Sequence, residues 1–443
     1  VPSGEGSDVD DDGEREESDR RGRRGVAGAA AQADVLGFTS HAARPVDSAR
    51  LLAWVRWVVP VVALLILSRR LSSALVQFMR SPLNPDVATF LSDAQGMRYF
   101  FDSATVEPFP ILWLKVGLMF SADTELVARL TTVVQTLLVA ILVYAFGRRF
   151  FGWLAGTAAV LLFAVNPVVR FYGISGLRDP LFGATMLLCF LLLFSPDPAS
   201  RRPRQSALAG LAGALMTLTR VYGYALFAGA LVLQAVHERA WRQDRWRGFV
   251  RHALVSAAAA AVLLVPEVLL RPPSQLQHNT VNQFRNIELT GDAGSWQTDP
   301  PVSMRQYLFG DHTVVQVFTR VVANYVRYAY QYLPFYLRGY EWLWVFLPVG
   351  ILVAFFTRRG FVAGLLALSI CHVVFVLNLN QIPGVRGIEM RFVYQAFPLA
   401  LLLAMHGLLY LSQRLLIVGA RGSPTLAGLR VRLAPLLPAD PQP

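Results

Sequence analysis

After about residue 50 the chain alternates between long apolar runs and short polar connections. A helix needs about 18–20 largely apolar residues to cross the hydrocarbon core of a bilayer. By that ruler the spans fall at 51–68, 126–146, 153–171, 178–194, 206–219, 222–236, 252–270, 341–357, 361–378 and 392–413. The pattern predicts an all-α integral membrane protein, a polytopic bundle of about ten transmembrane helices. Arg220 divides the run 206–236, which is long for one helix and short for two. Between the first two spans lies a long polar loop, residues 69–125. A second amphipathic stretch, Val314 to Leu337, carries Arg320, Asn324, Arg327 and Gln331 at helical spacing among five tyrosines. Tyrosine is favoured at the headgroup level, so this segment is expected to lie on the outer membrane surface.

The region before the first span has a different character. Residues 1–50 are polar and charge-blocked, with Asp8 to Glu17 acidic and Arg20 to Arg24 basic. Such a stretch buries too little apolar surface to offset the entropy of ordering, so a disordered cytoplasmic tail is expected. Its acids precede any apolar run, which is not the order of a cleavable signal peptide. Residues 51–418 are expected to form the membrane domain and 419–443 a second cytoplasmic tail.

Composition narrows the function classes. Hydrophobic residues make up 54% of the chain and charged residues 16%, a balance that requires lipid as solvent. The net charge of +12 does not point to nucleic acid, because the arginines sit in short connections between apolar runs and not on one basic face. Lys115 is the only lysine among 41 basic residues. Cys189 and Cys371 both fall in apolar runs, which argues against a disulfide framework. The histidines show no metal-ligand spacing, and no metal is expected.

Loop charges orient the bundle. Arg148-Arg149, Arg201-Arg202 with Arg204, Arg239 to Arg251, Arg358-Arg359, and Arg414 with Arg421 occupy alternate connections. The positive-inside rule places these in the cytoplasm with both termini, against the contrary vote of Arg69, Arg70 and Arg80. On the opposite side lie Asp93, Glu107, Arg178-Asp179, Arg220 and Glu389-Met390-Arg391-Phe392. Charged groups beside span ends are costly unless a partner or polar cavity receives them, so this one-sided set is the candidate site. Asp93 and Glu107 stand in the first outer loop, where the rival reading is an acid capping a short helix. Asp179 opens a span, where the helix dipole is again a rival explanation. Arg220 and Arg391 have guanidinium groups suited to bidentate phosphate binding, and Glu389 is either the partner of Arg391 or a second site acid. Glu267, near the outer end of its span, either lines the same cavity or snorkels with Arg271.

These residues also carry a family resemblance. The early aspartate, Glu107-Pro108-Phe109-Pro110-Ile111-Leu112, Ala128-Arg129-Leu130 and Arg148-Arg149-Phe150-Phe151-Gly152 form its first part. Asn166-Pro167, Gly176-Leu177-Arg178-Asp179, Leu218-Thr219-Arg220, and Glu389 to Tyr394 with Pro398 continue it over residues 85–410. The chain resembles the GT-C glycosyltransferases of the protein O-mannosyltransferase and lipid A aminoarabinose transferase type. That resemblance implies short interfacial helices in the first outer loop and transfer of a sugar from a polyprenyl-phosphate carrier to a glycan, lipid or protein acceptor at the extracytoplasmic face. It further implies Asp93 as catalytic base or acceptor-positioning acid, Arg220 and Arg391 as carrier-phosphate ligands, and Arg178-Asp179 as lining. Many relatives have an acidic pair where this chain has Asp93-Ala94, so transfer without a metal or other cofactor is expected. A base on the sugar face opposite the leaving phosphate would invert the anomeric centre.

Two other classes remain open on sequence grounds. A polysaccharide polymerase or ligase would consume a diphosphate-linked oligosaccharide. A lipid-linked saccharide transporter would only equilibrate lipid between leaflets, and it commonly shows paired repeats or interrupted helices, neither of which is visible here. The loop 272–313, with Trp296, His278 and His312, is a candidate acceptor selector but contains no sugar code.

Overall fold

The computed structural model describes residues 45–79, 81–102, 108–195, 201–220, 222–270, 302–316, 318, 319, 322, 337–380 and 394–422, for some of them, including 45–53 and 371–380, the backbone alone. The segment 314–337, the loop 272–301 and the sites Glu107, Glu389 and Arg391 lie wholly or largely outside these residues. Residues 1–57 and 58–443 form two units, and the bundle belongs to the second.

The described elements are helical throughout. In chain order they are α1 (Pro45–Phe78), α2 (Pro85–Gly96), α3 (Pro108–Leu118), α4 (Thr124–Phe151), α5 (Trp153–Val165), α6 (Pro167–Tyr172) and α7 (Asp179–Leu193). There follow α8 (Pro203–Thr217), α9 (Gly223–Glu238), α10 (Gln243–Leu270), α11 (Met304–Phe309), a 3-10 turn (Glu341–Val345) running into α12 (Phe346–Phe356), α13 (Gly360–Asn380) and α14 (Phe397–Gly422). Each predicted span finds a helix at its position. Four stretches, Trp54–Phe78, Thr124–Phe151, Arg245–Leu270 and Phe397–Gly419, are long and apolar enough to cross a bilayer by themselves. Several others, such as Trp153–Val165 and Asp179–Leu193, are apolar but shorter, so helix length alone does not establish a count of ten spans.

Several boundaries differ from the sequence reading: the span 153–171 is parted at Asn166 into α5 and α6, α10 begins at Gln243, α14 runs to Gly422, and the first helix ends later for a physical reason. The first helix runs to Phe78, ten residues beyond the predicted end at 68. Leu71 and Ala74 are fully buried there, and Arg70 donates to the Ala164 carbonyl at 3.3 Å, so Arg69-Arg70 lies inside a helix whose next turn packs against protein. The run 206–236 is two helices, α8 and α9, broken at Leu218–Tyr222 around Arg220. The connection between α1 and α4 carries α2 and α3, short helices of the kind the family resemblance implies.

Helix starts follow local chemistry. Asn84 caps α2 by accepting from the Asp86 amide at 2.9 Å, with Pro85 at the first helical position. Asp123 accepts from Leu126 N at 3.0 Å to cap α4, and Asn166 accepts from Val168 N and Val169 N to cap α6 before Pro167. These side chains satisfy amides that have no partner in the first turn.

The interior is built on α4, α7 and α14. Phe146, Phe163, Phe182, Phe190 and Tyr394 are essentially fully buried. At the α12–α14 crossing a Cβ on Gly350 would stand 1.8 Å from the Leu403 carbonyl, so only glycine allows the two backbones to meet. The α8–α10 crossing is also close, with Ser256 Oγ donating to Ser206 O at 2.9 Å. Small residues and such hydrogen bonds hold helices together where lipid removes the hydrophobic drive. In contrast, α10 presents Leu254, Val262, Val265, Val268 and Leu269 outward. An unbroken exposed apolar face of this kind is compatible with acyl chains and not with water.

Candidate active site

A turn and two helix starts build the site. After α6 the chain passes through Gly173-Ile174-Ser175-Gly176-Leu177, with Gly176 at φ +76°. A Cβ on Gly176 would lie 2.8 Å from Val87 Cγ1 of α2 and 3.4 Å from Ala128 of α4. The turn is therefore pressed between the two helices, and it delivers Arg178-Asp179 to the start of α7.

Arg129 locks this arrangement. It is buried, pairs with Glu125 at 2.8 Å, and donates to Ile174 O at 3.3 Å and Ser81 O at 2.6 Å. One guanidinium thus ties the first turns of α4 to the α6–α7 turn and to the chain entering α2. Thr132 Oγ1 accepts from Gly176 N at 3.2 Å, adding a second tie.

Asp179 and Arg220 form the centre. Their side chains make a buried ion pair across 41 residues, each side chain 4% exposed. The carboxylate that the helix dipole alone would have explained thus has a guanidinium partner from the α8–α9 break. The Arg220 guanidinium carbon also lies 5.7 Å from the Tyr222 ring centroid. Tyr222 packs on Phe182 with centroids 4.8 Å apart, and its hydroxyl donates to Gln395 Oε1. Tyr394 packs on Tyr172 at 5.2 Å.

Arg178 turns the other way, its guanidinium 5.4 Å from the ring centroid of Phe90 on α2. Phe90 and Asp93 are three apart on that helix and share a face, so the Asp93 turn adjoins the Arg178-Asp179 segment. Asp93 is half-exposed and stands in the last turn of α2, not at its start. N-terminal capping therefore does not account for it, and an acid near a helix C-terminus is unfavourably placed in the dipole. Lys115 of α3 offsets that placement by donating to the carbonyl of Met97, which caps α2, and at 3.4 Å to that of Ala94 within it.

Four of the seven predicted residues, Asp93, Arg178, Asp179 and Arg220, are thus drawn together at one end of the bundle. Glu107, Glu389 and Arg391 lie outside the described residues. Phe109 N donates to Leu218 O at 3.1 Å, beside the Arg220 turn, and Tyr394 and Gln395 contact Tyr172 and Tyr222. Glu267 is buried in α10.

Several members were not singled out in the sequence. Gln395 is buried, and its amide nitrogen has no hydrogen-bond partner among the described residues. Its signal was a polar residue in an apolar run directly after the Glu389–Tyr394 motif. Tyr222, Phe90 and Lys115 had weaker signals, apart from Lys115 being the lone lysine. Among the described residues no three His, Cys, Asp or Glu side chains are grouped as metal ligands would be.

Comparison with known proteins follows the same lines. Residues 106–269 match the family model described as dolichyl-phosphate-mannose-protein mannosyltransferase. The chain is similar to the archaeal oligosaccharyltransferase AglB from Archaeoglobus fulgidus in complex with an inhibitory peptide and a dolichol-phosphate, at 14% identity and TM-score 0.52 over 86% of this chain and 54% of that one. A zinc and sulfate complex of the Archaeoglobus fulgidus oligosaccharyltransferase gives 18% identity and TM-score 0.51, over 85% and 51% of the two chains. ArnT from Cupriavidus metallidurans bound to undecaprenyl phosphate gives 17% identity and TM-score 0.41, over 82% and 80%. No curated protein matches the chain. The chain spans about half the length of the archaeal enzyme.

Proposed function

We propose that this chain, whose fold is that of the GT-C membrane glycosyltransferases, moves a single hexosyl or pentosyl group from a polyprenyl monophosphate to an acceptor at the extracytoplasmic face. The observation that carries the reading is the buried Asp179–Arg220 pair at the same end of the bundle as Arg178 and the Asp93 turn. The assignment of that end to the outside rests on the loop arginines.

The chemistry needs what these residues offer. The acceptor oxygen attacks the anomeric carbon while the bond from that carbon to the phosphate oxygen breaks. Its electron pair leaves on the phosphate, and the acceptor proton passes to Asp93. Arg220, held in orientation by Asp179, stabilises the charge growing on the departing phosphate, with Arg391 as a further ligand and Arg178 lining the site toward Phe90. Prepositioned donors aimed at developing charge in a water-poor site act most strongly in the transition state. Asp93 on the face opposite the phosphate gives inversion. Because Ala94 stands where a second carboxylate would be needed to hold a divalent ion, the transfer proceeds without metal. Glu107 and Glu389 are taken as further substrate-binding residues, on the sequence pattern alone.

The test is transfer of labelled sugar from a polyprenyl monophosphate in proteoliposomes. Asp93→Asn should lower kcat by about 10²–10⁴-fold, the usual worth of a general base, while the protein keeps its thermal midpoint. Unchanged transfer by a folded Asp93→Asn variant would remove the base from the mechanism.

A further inference from the structure

The opposite end of the bundle holds a second charged site. A cavity of about 890 Å³ opens there, lined by Arg149, Arg239, Arg242, Arg245, Arg358 and Arg359. Along α4, Arg129 and Arg149 are twenty residues apart, about 30 Å at 1.5 Å per residue, so a hydrocarbon core's thickness separates this cavity from the Asp179–Arg220 pair.

The positive-inside rule accounts for arginines in these connections but not for their convergence. They come from three separate ones, α4–α5, α9–α10 and α12–α13, and meet around one space. No carboxylate lines it among the described residues. Glu238, next to the lining residue Arg239, is paired with Arg201 and hydrogen-bonded by Gln234 at 2.8 Å, and its charge also acts on Arg245. Arg239 and Arg358 hold left-handed backbone conformations, φ 53° and 57°, which non-glycine residues rarely adopt. Both end helices whose neighbouring arginines line the same space. Arg359 is half-buried, and burial holds its guanidinium below the usual pKa. So many like charges around a partly enclosed volume repel one another unless an anion joins them.

The walls identify the anion's other half. Val236 and Phe355 line the cavity and are 53% and 62% exposed on the outer faces of their helices. Phe150 and Phe361 pack edge to face at 5.1 Å as part of the lining. A recess in which Arg149 and Arg359 are half-buried and the other four arginines exposed, with apolar Val236 and Phe355 beside it, matches a phosphate head attached to acyl chains. We propose that this cavity binds the phosphate head group of an anionic phospholipid of the leaflet opposite the transfer site, with the acyl chains leaving past Val236 and Phe355. Arginine forks suit phosphate oxygens, and basic recesses between helices at the membrane surface are suited to such heads.

The test uses the full chain in nanodiscs of phosphatidylcholine with increasing phosphatidylglycerol, and native mass spectrometry of the released protein. Wild type should retain phosphatidylglycerol over phosphatidylcholine, and the double variant Arg358→Gln/Arg359→Gln should bind it at least tenfold more weakly. Arg414→Gln, which removes an exposed arginine stacked 5.1 Å from the Tyr410 ring, should bind as wild type does. Equal weakening by Arg414→Gln would mean diffuse surface attraction and overturn the proposal. Pyrophosphate forms the second arm: if it displaces the lipid fully and binds as tightly without it, the ligand is a soluble phosphate and the lipid assignment fails. In the wild-type protein, phosphatidylglycerol should also protect Arg358 and Arg359 from phenylglyoxal modification where phosphatidylcholine does not. Absence of protection overturns the proposal whether or not the double variant folds.

Discussion

Replacing both partners of the Asp179–Arg220 pair should cost clearly less than the sum of replacing each alone. Each side chain is 4% exposed, so solvent screening does not discount the interaction as it would at the surface. Asp179→Asn leaves a guanidinium beside Tyr222 without that carboxylate, and Arg220→Gln leaves a carboxylate at the α7 start without that cation. Removing one member of a buried pair costs about 3–5 kcal/mol, mostly from the charge left behind. The double variant leaves no stranded charge and should fall short of the sum of the singles by about 2–3 kcal/mol. The assay is equilibrium unfolding of the protein in detergent or bicelles for wild type, both singles and the double, at low and high salt. Burial predicts little change in the coupling with salt. Singles that add to within about 0.5 kcal/mol, or a coupling that disappears at high salt, would show that the pair is neither buried nor shared and would remove the positioning role of Asp179.

Other expectations follow from neighbouring contacts. Gly176→Ala forces a side chain onto φ +76° and 2.8 Å from Val87; it should cost about 1–3 kcal/mol, and adding Val87→Ala should recover the steric part in a thermal melt. Lys115→Met removes the cation on the last carbonyls of α2; about 1.5–3 kcal/mol of local stability should be lost, read as faster amide exchange confined to α2 with a lower kcat. Chelation with EDTA should leave sugar transfer unchanged, and a chelator-sensitive activity restored by a divalent ion would contradict the role given to Ala94.

Much of this arrangement was legible in the sequence, because a membrane imposes strong rules on charge. Loop arginines alternate along the chain, so Asp93, Arg178-Asp179 and Arg220 could be assigned to one end before any contact was known. The bundle does gather them there, through the glycine turn at Gly176 and the break at Arg220. That break was ambiguous because residues 206–236 fit one long helix or two short ones, and a single arginine could not decide between them. The end of α1 was misplaced for a related reason: Arg69-Arg70 looks like a span boundary, yet burial of Leu71 and Ala74 continues the helix to Phe78. Partnerships were the least visible feature. Nothing in the spacing of residues 179 and 220 specifies an ion pair, and Arg129, read only as part of a motif, acts as the cross-link that positions the turn. Lys115 stood out as the lone lysine, but its role at the α2 C-terminus depends on how α3 folds back.

The most direct measurement is the lipid product of the reaction. With a polyprenyl-monophosphate sugar donor in proteoliposomes, phosphorus NMR and thin-layer separation should show one free polyprenyl monophosphate for each sugar transferred, with the anomeric configuration of the product inverted. Product lipid in the form of a polyprenyl diphosphate from an oligosaccharide donor, or movement of intact donor between leaflets without release of any lipid phosphate, would contradict the account.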